Sequence, residues 1–204
     1  MKICIFAKPP IAGEVKTRLA LAPPDAARLS RAFLDDTIES VRALPWAQGA
    51  LATTAPFDCE LPVLLQGEGD LGARIERVLR AALEDAPAAL AIGADAPALP
   101  ARLLEAARDA LGRADAVLGP ADDGGFYLLG LKRCPEGLLA DLPWSAPDTC
   151  VRTEARLRER GFRVDRLPPW FDVDLPADLD RLRREIERGG IVAPRTEQVL
   201  RELR

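Results

Sequence analysis

The 204-residue sequence contains no histidine. That absence excludes histidine triads, histidine general bases and histidine-ligated metals. Any chemistry therefore falls to carboxylates, Lys and Arg, hydroxyls, or a metal held by oxygen. Cysteine is sparse, and Cys4, Cys59, Cys134 and Cys150 lie far apart with no CxxC pair. We read them as reduced thiols of a cytosolic protein without a zinc site. No apolar run approaches the length that crosses a bilayer, and the opening MKICIFA is too short for a secretory apolar region. The expectation is a cytoplasmic protein with no membrane span. Blocks of Lys and Arg are also missing and the net charge is −4, which argues against a nucleic-acid-binding surface.

What is present is an ordinary globular balance, 48% hydrophobic and 29% charged, in a chain long enough to bury a sizeable core without disulfides. We expect one domain over residues 1–204. Short apolar runs alternate with helical patterns throughout. Ile3–Ala7, Ala50–Thr54, Val63–Gln66, Ala89–Gly93, Ala116–Gly119, Phe126–Leu131 and Arg163–Leu167 read as strands. Leu71, Ile75, Val78, Leu79 and Ala82 form a helical stripe. Pro100 and Pro176 suit helix starts, and Gly189-Gly190 suits a helix end. This alternation predicts a three-layer, Rossmann-like α/β domain with a mostly parallel central sheet. The strands flanking the DDGG turn are too close in sequence to be parallel neighbours and predict an antiparallel excursion. The tail, Pro194–Arg204, reads as a charged, solvated helical segment, and Trp144 and Trp170 read as core-packing aromatics.

Open α/β sheets bind ligands at the carboxyl ends of their strands, where several polar clusters fall. The first is FAKPPIAGEVKTRL, Phe6–Leu19, in which Lys8, Lys16 and Arg18 face only Glu14 in sign. A buried strand feeding a Gly-bearing cationic loop suits phosphate, although the spacing is neither a Walker A loop nor GxGxxG. The second is Gly93–Pro97, where Asp95 is either a metal carboxylate or an acidic turn residue ahead of a helix. The third, GPADDGG, is either hairpin chemistry or a site where Gly124 and Gly125 admit a ligand and Asp123 accepts a hydroxyl or a metal-bound water. The fourth, FDVDLP, carries Asp174, which either joins Asp95 on a metal or stabilises the next helix. In QGEGDLGAR, Arg74 could border the site, while Asp70 equally suits a helix cap.

These segments, FAKPPIAGEVKTRL, QGEGDLGARI, IGADAPALP, GPADDGGFYLLGL and FDVDLPADL, resemble an uncharacterised bacterial family with the nucleotide-diphospho-sugar transferase (GT-A) fold. That family carries the label of arsenosugar-biosynthesis-associated glycosyltransferases. More distantly the chain is similar to 2-phospholactate guanylyltransferase and molybdenum-cofactor guanylyltransferase. The resemblance implies that Lys16 and Arg18 contact phosphates and that Asp95, with Asp174, binds Mg²⁺ (or Mn²⁺). With the loop readings above, we expect Ala7, Lys8, Gly13, Lys16, Arg18, Arg74, Gly93, Gly124 and Gly125 to bind a nucleotide, and Lys16, Arg18, Asp95 and Asp123 to form the catalytic group. Glycosyltransferases of this fold usually show a DxD pair, but here Asp95 is followed by Ala96-Pro97. A lone Asp at that strand end looks more like nucleotidyl transfer. The expectation is a Mg²⁺-dependent transferase moving a nucleotidyl group from an NTP to a small phosphate or carboxylate acceptor. The alternatives are a glycosyltransferase using an NDP-sugar, and a non-catalytic nucleotide-binding protein.

Overall fold

The run KICIF forms β1 (Lys2–Phe6), with Ile3, Cys4 and Ile5 fully buried. A strand buried on both faces needs helices above and below it. The computed structural model supplies them, and describes residues 1–96 and 99–203. Pro97 and Ala98 of the IGADAPALP segment lie outside the described residues, as does Arg204.

Six further strands join β1: β2 (Gln48–Thr53), β3 (Val63–Leu65), β4 (Ala89–Gly93), β5 (Ala116–Pro120), β6 (Phe126–Leu131) and β7 (Val164–Arg166). They form one sheet in the order β3-β2-β1-β4-β6-β5-β7. Every pairing is parallel except those of β6, which runs antiparallel to both β4 and β5. The expected excursion is therefore a single strand inserted between two parallel ones. Phe6 is level with Ala52 and Gly93, so three parallel strands release their chains at one edge.

The helices are α1 (Pro23–Arg42), α2 (Leu71–Leu83), α3 (Ala101–Arg113), α4 (Thr149–Glu159), α5 (Pro176–Glu187) and α6 (Pro194–Glu202). Alternation along β1 sorts them into layers. Ile3 and Ile5 join a core with Phe33 of α1, Leu103 of α3, Leu182 of α5 and Leu200 of α6. Cys4 points the other way, into a core with Val78 of α2 and Leu157 of α4. Each such large side chain contributes roughly 1.5–3 kcal/mol when fully removed from water. Trp170 belongs to the first core, and the partly buried Trp144 packs against the second.

Two expectations change in detail. Pro100 caps α3 from outside, and the helix begins at Ala101. The tail is not simply solvated, because α6 buries Thr196 and Leu200. The buried Asp36 of α1 accepts hydrogen bonds from Arg195 N (3.1 Å) and Thr196 N (2.8 Å). A carboxylate at a helix N-terminus satisfies otherwise orphaned N–H groups. Among the described residues, no helix is long and apolar enough to cross a membrane.

Candidate active site

The loop after β1 is pinned by two apolar anchors, Val15 and Leu19, both buried, while Lys8 and Arg18 remain exposed. Lys16 takes the left-handed backbone region (φ +50), which costs an L-residue about 1–2 kcal/mol. The strained backbone delivers its ammonium inward. Lys16 Nζ lies 2.6 Å from Asp95 Oδ1 and 3.1 Å from Asp174 Oδ1, and donates to Val173 O at 2.8 Å. The Lys16 side chain is only 4% exposed, whereas Asp95 and Asp174 are 61% and 46% exposed. The ammonium thus sits beneath the carboxylates, whose remaining oxygens face outward. Burial opposes its charge, yet Asp95 and then Asp174 outweigh burial, and the Lys16 pKa is raised. In this arrangement Lys16 is engaged by carboxylates rather than presented to a phosphate.

Main-chain hydrogen bonds bring the FDVD segment into place. Trp170 N donates to Pro120 O (3.0 Å), Asp122 N to Trp170 O (3.1 Å), and Val173 N to Asp95 O (2.9 Å). Asp178 Oδ2 accepts from Asp174 N (3.0 Å) and Leu175 N (2.7 Å) at the start of α5. Capping therefore falls to Asp178, which leaves the Asp174 carboxylate to the site. Asp172 is a residue that sequence reasoning passed over. Its pKa is pushed up to about 7, first by burial and then by repulsion from Asp95, Asp123 and Asp174. The available signal was the i, i+2 spacing of Asp172 and Asp174, which in an extended segment places both on one face.

The DDGG turn corrects one expectation. Gly124 (φ +92) does not open the backbone to a ligand: a Cβ there would lie 1.9 Å from Pro147 O. Its missing side chain admits the 147 loop, and Gly124 O accepts from Cys150 N at 2.9 Å. Asp123 Oδ1 accepts from Gly125 N (2.8 Å), closing the turn. Asp70 accepts from Ala73 N (2.8 Å) and caps α2.

Two adjoining cavities open at the carboxyl edge of the sheet. The first, about 350 Å³, is lined by Ala7, Lys8, Lys16, Arg18 and Arg74 together with Asp95 and Asp174. Among the described residues, Lys8, Arg18 and Arg74 form no ion pair with a carboxylate. The second, about 240 Å³, is lined by Phe6, Gly93, Phe126, Asp95, Asp172 and Asp174, among others. Gly13, Asp123, Gly124 and Gly125 line neither cavity. A wider groove of about 470 Å³ lies between α1 and α6. There Arg28 is paired with Asp25 and Glu202, and Arg31 with Asp35, so its charge is already spent internally. Burial pushes the Cys4 and Cys134 thiols up to about 12, which removes both as nucleophiles at neutral pH.

The family described as uncharacterized proteins conserved in bacteria (DUF2064) matches residues 11–146. The chain belongs to this family. A candidate nucleotide-diphospho-sugar transferase from Desulfovibrio desulfuricans G20 is 30% identical, superposes with a TM-score of 0.88, and is matched over 98% of this chain and 94% of its own. CMP:2-keto-3-deoxy-manno-octonic acid synthetase, solved with CTP, shares the fold at 14% identity and a TM-score of 0.56, over 92% of this chain and 98% of its own. So does 2-C-methyl-D-erythritol 4-phosphate cytidylyltransferase from Thermus thermophilus, at 16% identity and a TM-score of 0.53, over 90% of this chain and 98% of its own. No curated protein sequence matches the chain. The fold is that of the nucleotide-diphospho-sugar transferases, as the sequence led us to expect.

A divalent cation of the kind this fold implies suits the donor set. Asp95, Asp123 and Asp174 all act on Asp172 to disfavour its charge, against one opposing ammonium, Lys16. The excess of negative charge is what a cation relieves. Among the described residues, no group of three or more Asp, Glu, Cys or His is placed to hold a metal alone. Mg²⁺ takes one or two protein carboxylates and fills its shell with phosphate oxygens and water.

Proposed function

We propose that the protein is a transferase using a nucleotide-activated donor, and that nucleotidyl transfer from an NTP is its reaction. The observation that carries this reading is the first cavity. It sets Lys8, Arg18 and Arg74, free of carboxylate partners among the described residues, beside the outward oxygens of Asp95 and Asp174. Fixed cations around a polyphosphate stabilise the charge that builds on the leaving group. Three such cations suit a triphosphate better than a diphosphate. Asp95 and Asp174 would hold Mg²⁺, which supplies charge neutralisation at the phosphates when bound. Lys16, beneath them, fixes both carboxylates at the reacting end, and Phe6 and Leu71 wall the donor cavity. The bond broken is then Pα–O, and pyrophosphate leaves with its electron pair.

Glycosyl transfer from an NDP-sugar is the second reading, favoured by the description of the Desulfovibrio desulfuricans relative. The bond broken would be the sugar C1–O bond instead. A thermal-shift panel with Mg²⁺, setting the four NTPs against UDP-, GDP- and dTDP-sugars, separates the two. A ligand that binds only the folded state raises the melting temperature. Stabilisation by one NTP and by no sugar nucleotide is expected. Stabilisation by a sugar nucleotide alone moves the assignment to glycosyl transfer, and a flat panel removes the donor site.

A further inference from the structure

The second cavity bears on the acceptor. It shares Phe6, Asp95 and Asp174 with the donor cavity, so the two meet at the carboxylate pair. Its character is different. Phe6, Ile75 and Phe126 form apolar walls, and the charged side chains that reach it are Asp95, Asp172 and Asp174. Among the described residues, no Lys or Arg lines it, whereas four line the donor cavity. Bound phosphates and carboxylates are held by cations or by convergent N–H donors. Among the side chains lining this cavity an anionic acceptor finds no Lys or Arg, and Asp172 adds a carboxylate beyond the pair proposed to hold Mg²⁺.

A hydroxyl group, by contrast, donates to a carboxylate oxygen, and the apolar face of a ring can lie against Phe126. Phe126 is itself braced by Trp144, edge-on at 6.1 Å between ring centroids. The volume of about 240 Å³ corresponds to about eight waters at roughly 30 Å³ each. That is room for a monosaccharide-sized molecule.

We propose that the acceptor is a neutral, hydroxyl-bearing small molecule with an apolar face, seated between Phe126 and the Asp95–Asp172–Asp174 carboxylates. This rests on the donor reading above and replaces the phosphate or carboxylate acceptor expected from the sequence. In the transfer step the acceptor oxygen forms a bond to the α-phosphorus. The Pα–O bond to pyrophosphate breaks with its electron pair, and the hydroxyl proton passes to water.

Ligand-observed NMR on the full chain with Mg²⁺ tests this, using matched pairs: methyl glucoside against glucose 6-phosphate and glucuronate, and glycerol against glycerol phosphate and glycerate. Binding of a neutral member at least tenfold tighter than its anionic counterparts is expected. Phe126→Ala and the milder Phe126→Leu should both weaken the neutral ligand, while binding of the NTP identified by thermal shift stays within twofold. Equal or tighter binding of the phosphorylated or carboxylated member overturns the proposal, as does no binding of any neutral member by a protein that binds NTP. Neutral-ligand binding without any NTP binding would keep this cavity as a site and overturn the donor reading alone.

Discussion

Lys16 Nζ lies 2.6 Å from Asp95 Oδ1, with the lysine buried and the aspartate open to the donor cavity. The ammonium occupies the inner side of a carboxylate pair and leaves the outer side to a ligand. Lys16→Met removes the inner charge and leaves Asp95, Asp172 and Asp174 to repel one another. Because Asp95 and Asp174 are well exposed, solvent screens much of that repulsion, and we expect a stability loss of only about 1–2 kcal/mol in EDTA. Mn²⁺ should restore more of the melting temperature in this variant than it adds to the wild type. Equal Mn²⁺ shifts in both proteins would show that Lys16 and a cation do not serve the same carboxylates.

Asp95→Asn separates a catalyst from a binding protein. The isostere keeps shape and removes the charge that would hold the cation, so turnover should fall at least about 100-fold, as when transition-state charge stabilisation is lost. The melting temperature in EDTA should stay within a few degrees of wild type. A steady-state assay with the stabilising nucleotide reads the first effect. Unchanged turnover would remove Asp95 from the reaction.

Asp172 gives stability a definite pH dependence. Its pKa is raised to about 7 in the folded chain, against about 3.9 when unfolded. Between those values the folded state holds a proton that the unfolded state has released, so stability falls as pH rises. The penalty is complete above pH 7. In EDTA, Asp172→Asn should be close to wild type at pH 4.5 and more stable by about 2–4 kcal/mol at pH 8. Chemical denaturation at the two pH values measures this. A gap that does not widen with pH contradicts the assigned shift.

Gly124 is predicted to be intolerant. An alanine would combine a positive φ with a methyl group 1.9 Å from the Pro147 carbonyl oxygen. Gly124→Ala should cost about 2–5 kcal/mol from overpacking and backbone strain together. Gly13→Ala is the control, because its φ is +87 but its Cβ would meet nothing within 4 Å. The Gly13 variant should lose only the strain component, about 1–2 kcal/mol. Comparable losses in the two would mean that the 147 loop yields.

The layered fold was legible because its signals are local. β1 and β4 are continuous apolar runs because both faces are covered, and Leu71 to Ala82 repeats at helical spacing because one face is. The DDGG turn announced an antiparallel strand, but nothing near it says that Phe126–Leu131 inserts between β4 and β5. Strand order is a property of contacts distant in sequence. The site was legible to the same depth. Lys8, Lys16, Arg18, Arg74, Asp95 and Asp174 do gather at one cavity, since strand ends in such sheets converge on one edge. What a cationic pattern does not encode is its anion: Lys16 meets carboxylates. Gly124 looked like a ligand contact because a glycine pair reads alike whether its neighbour is a ligand or another loop.

The hydrogen bond from Val173 N to Asp95 O ties the two carboxylate-bearing loops through the main chain. The spacing of Asp95 and Asp174 is therefore held by the main chain as well as by Lys16. Isosteric replacements can silence one carboxylate while the scaffold keeps its shape, so stalled variants should still assemble donor and acceptor together. Such variants are the natural starting material for capturing a ternary complex and learning the acceptor directly from its density.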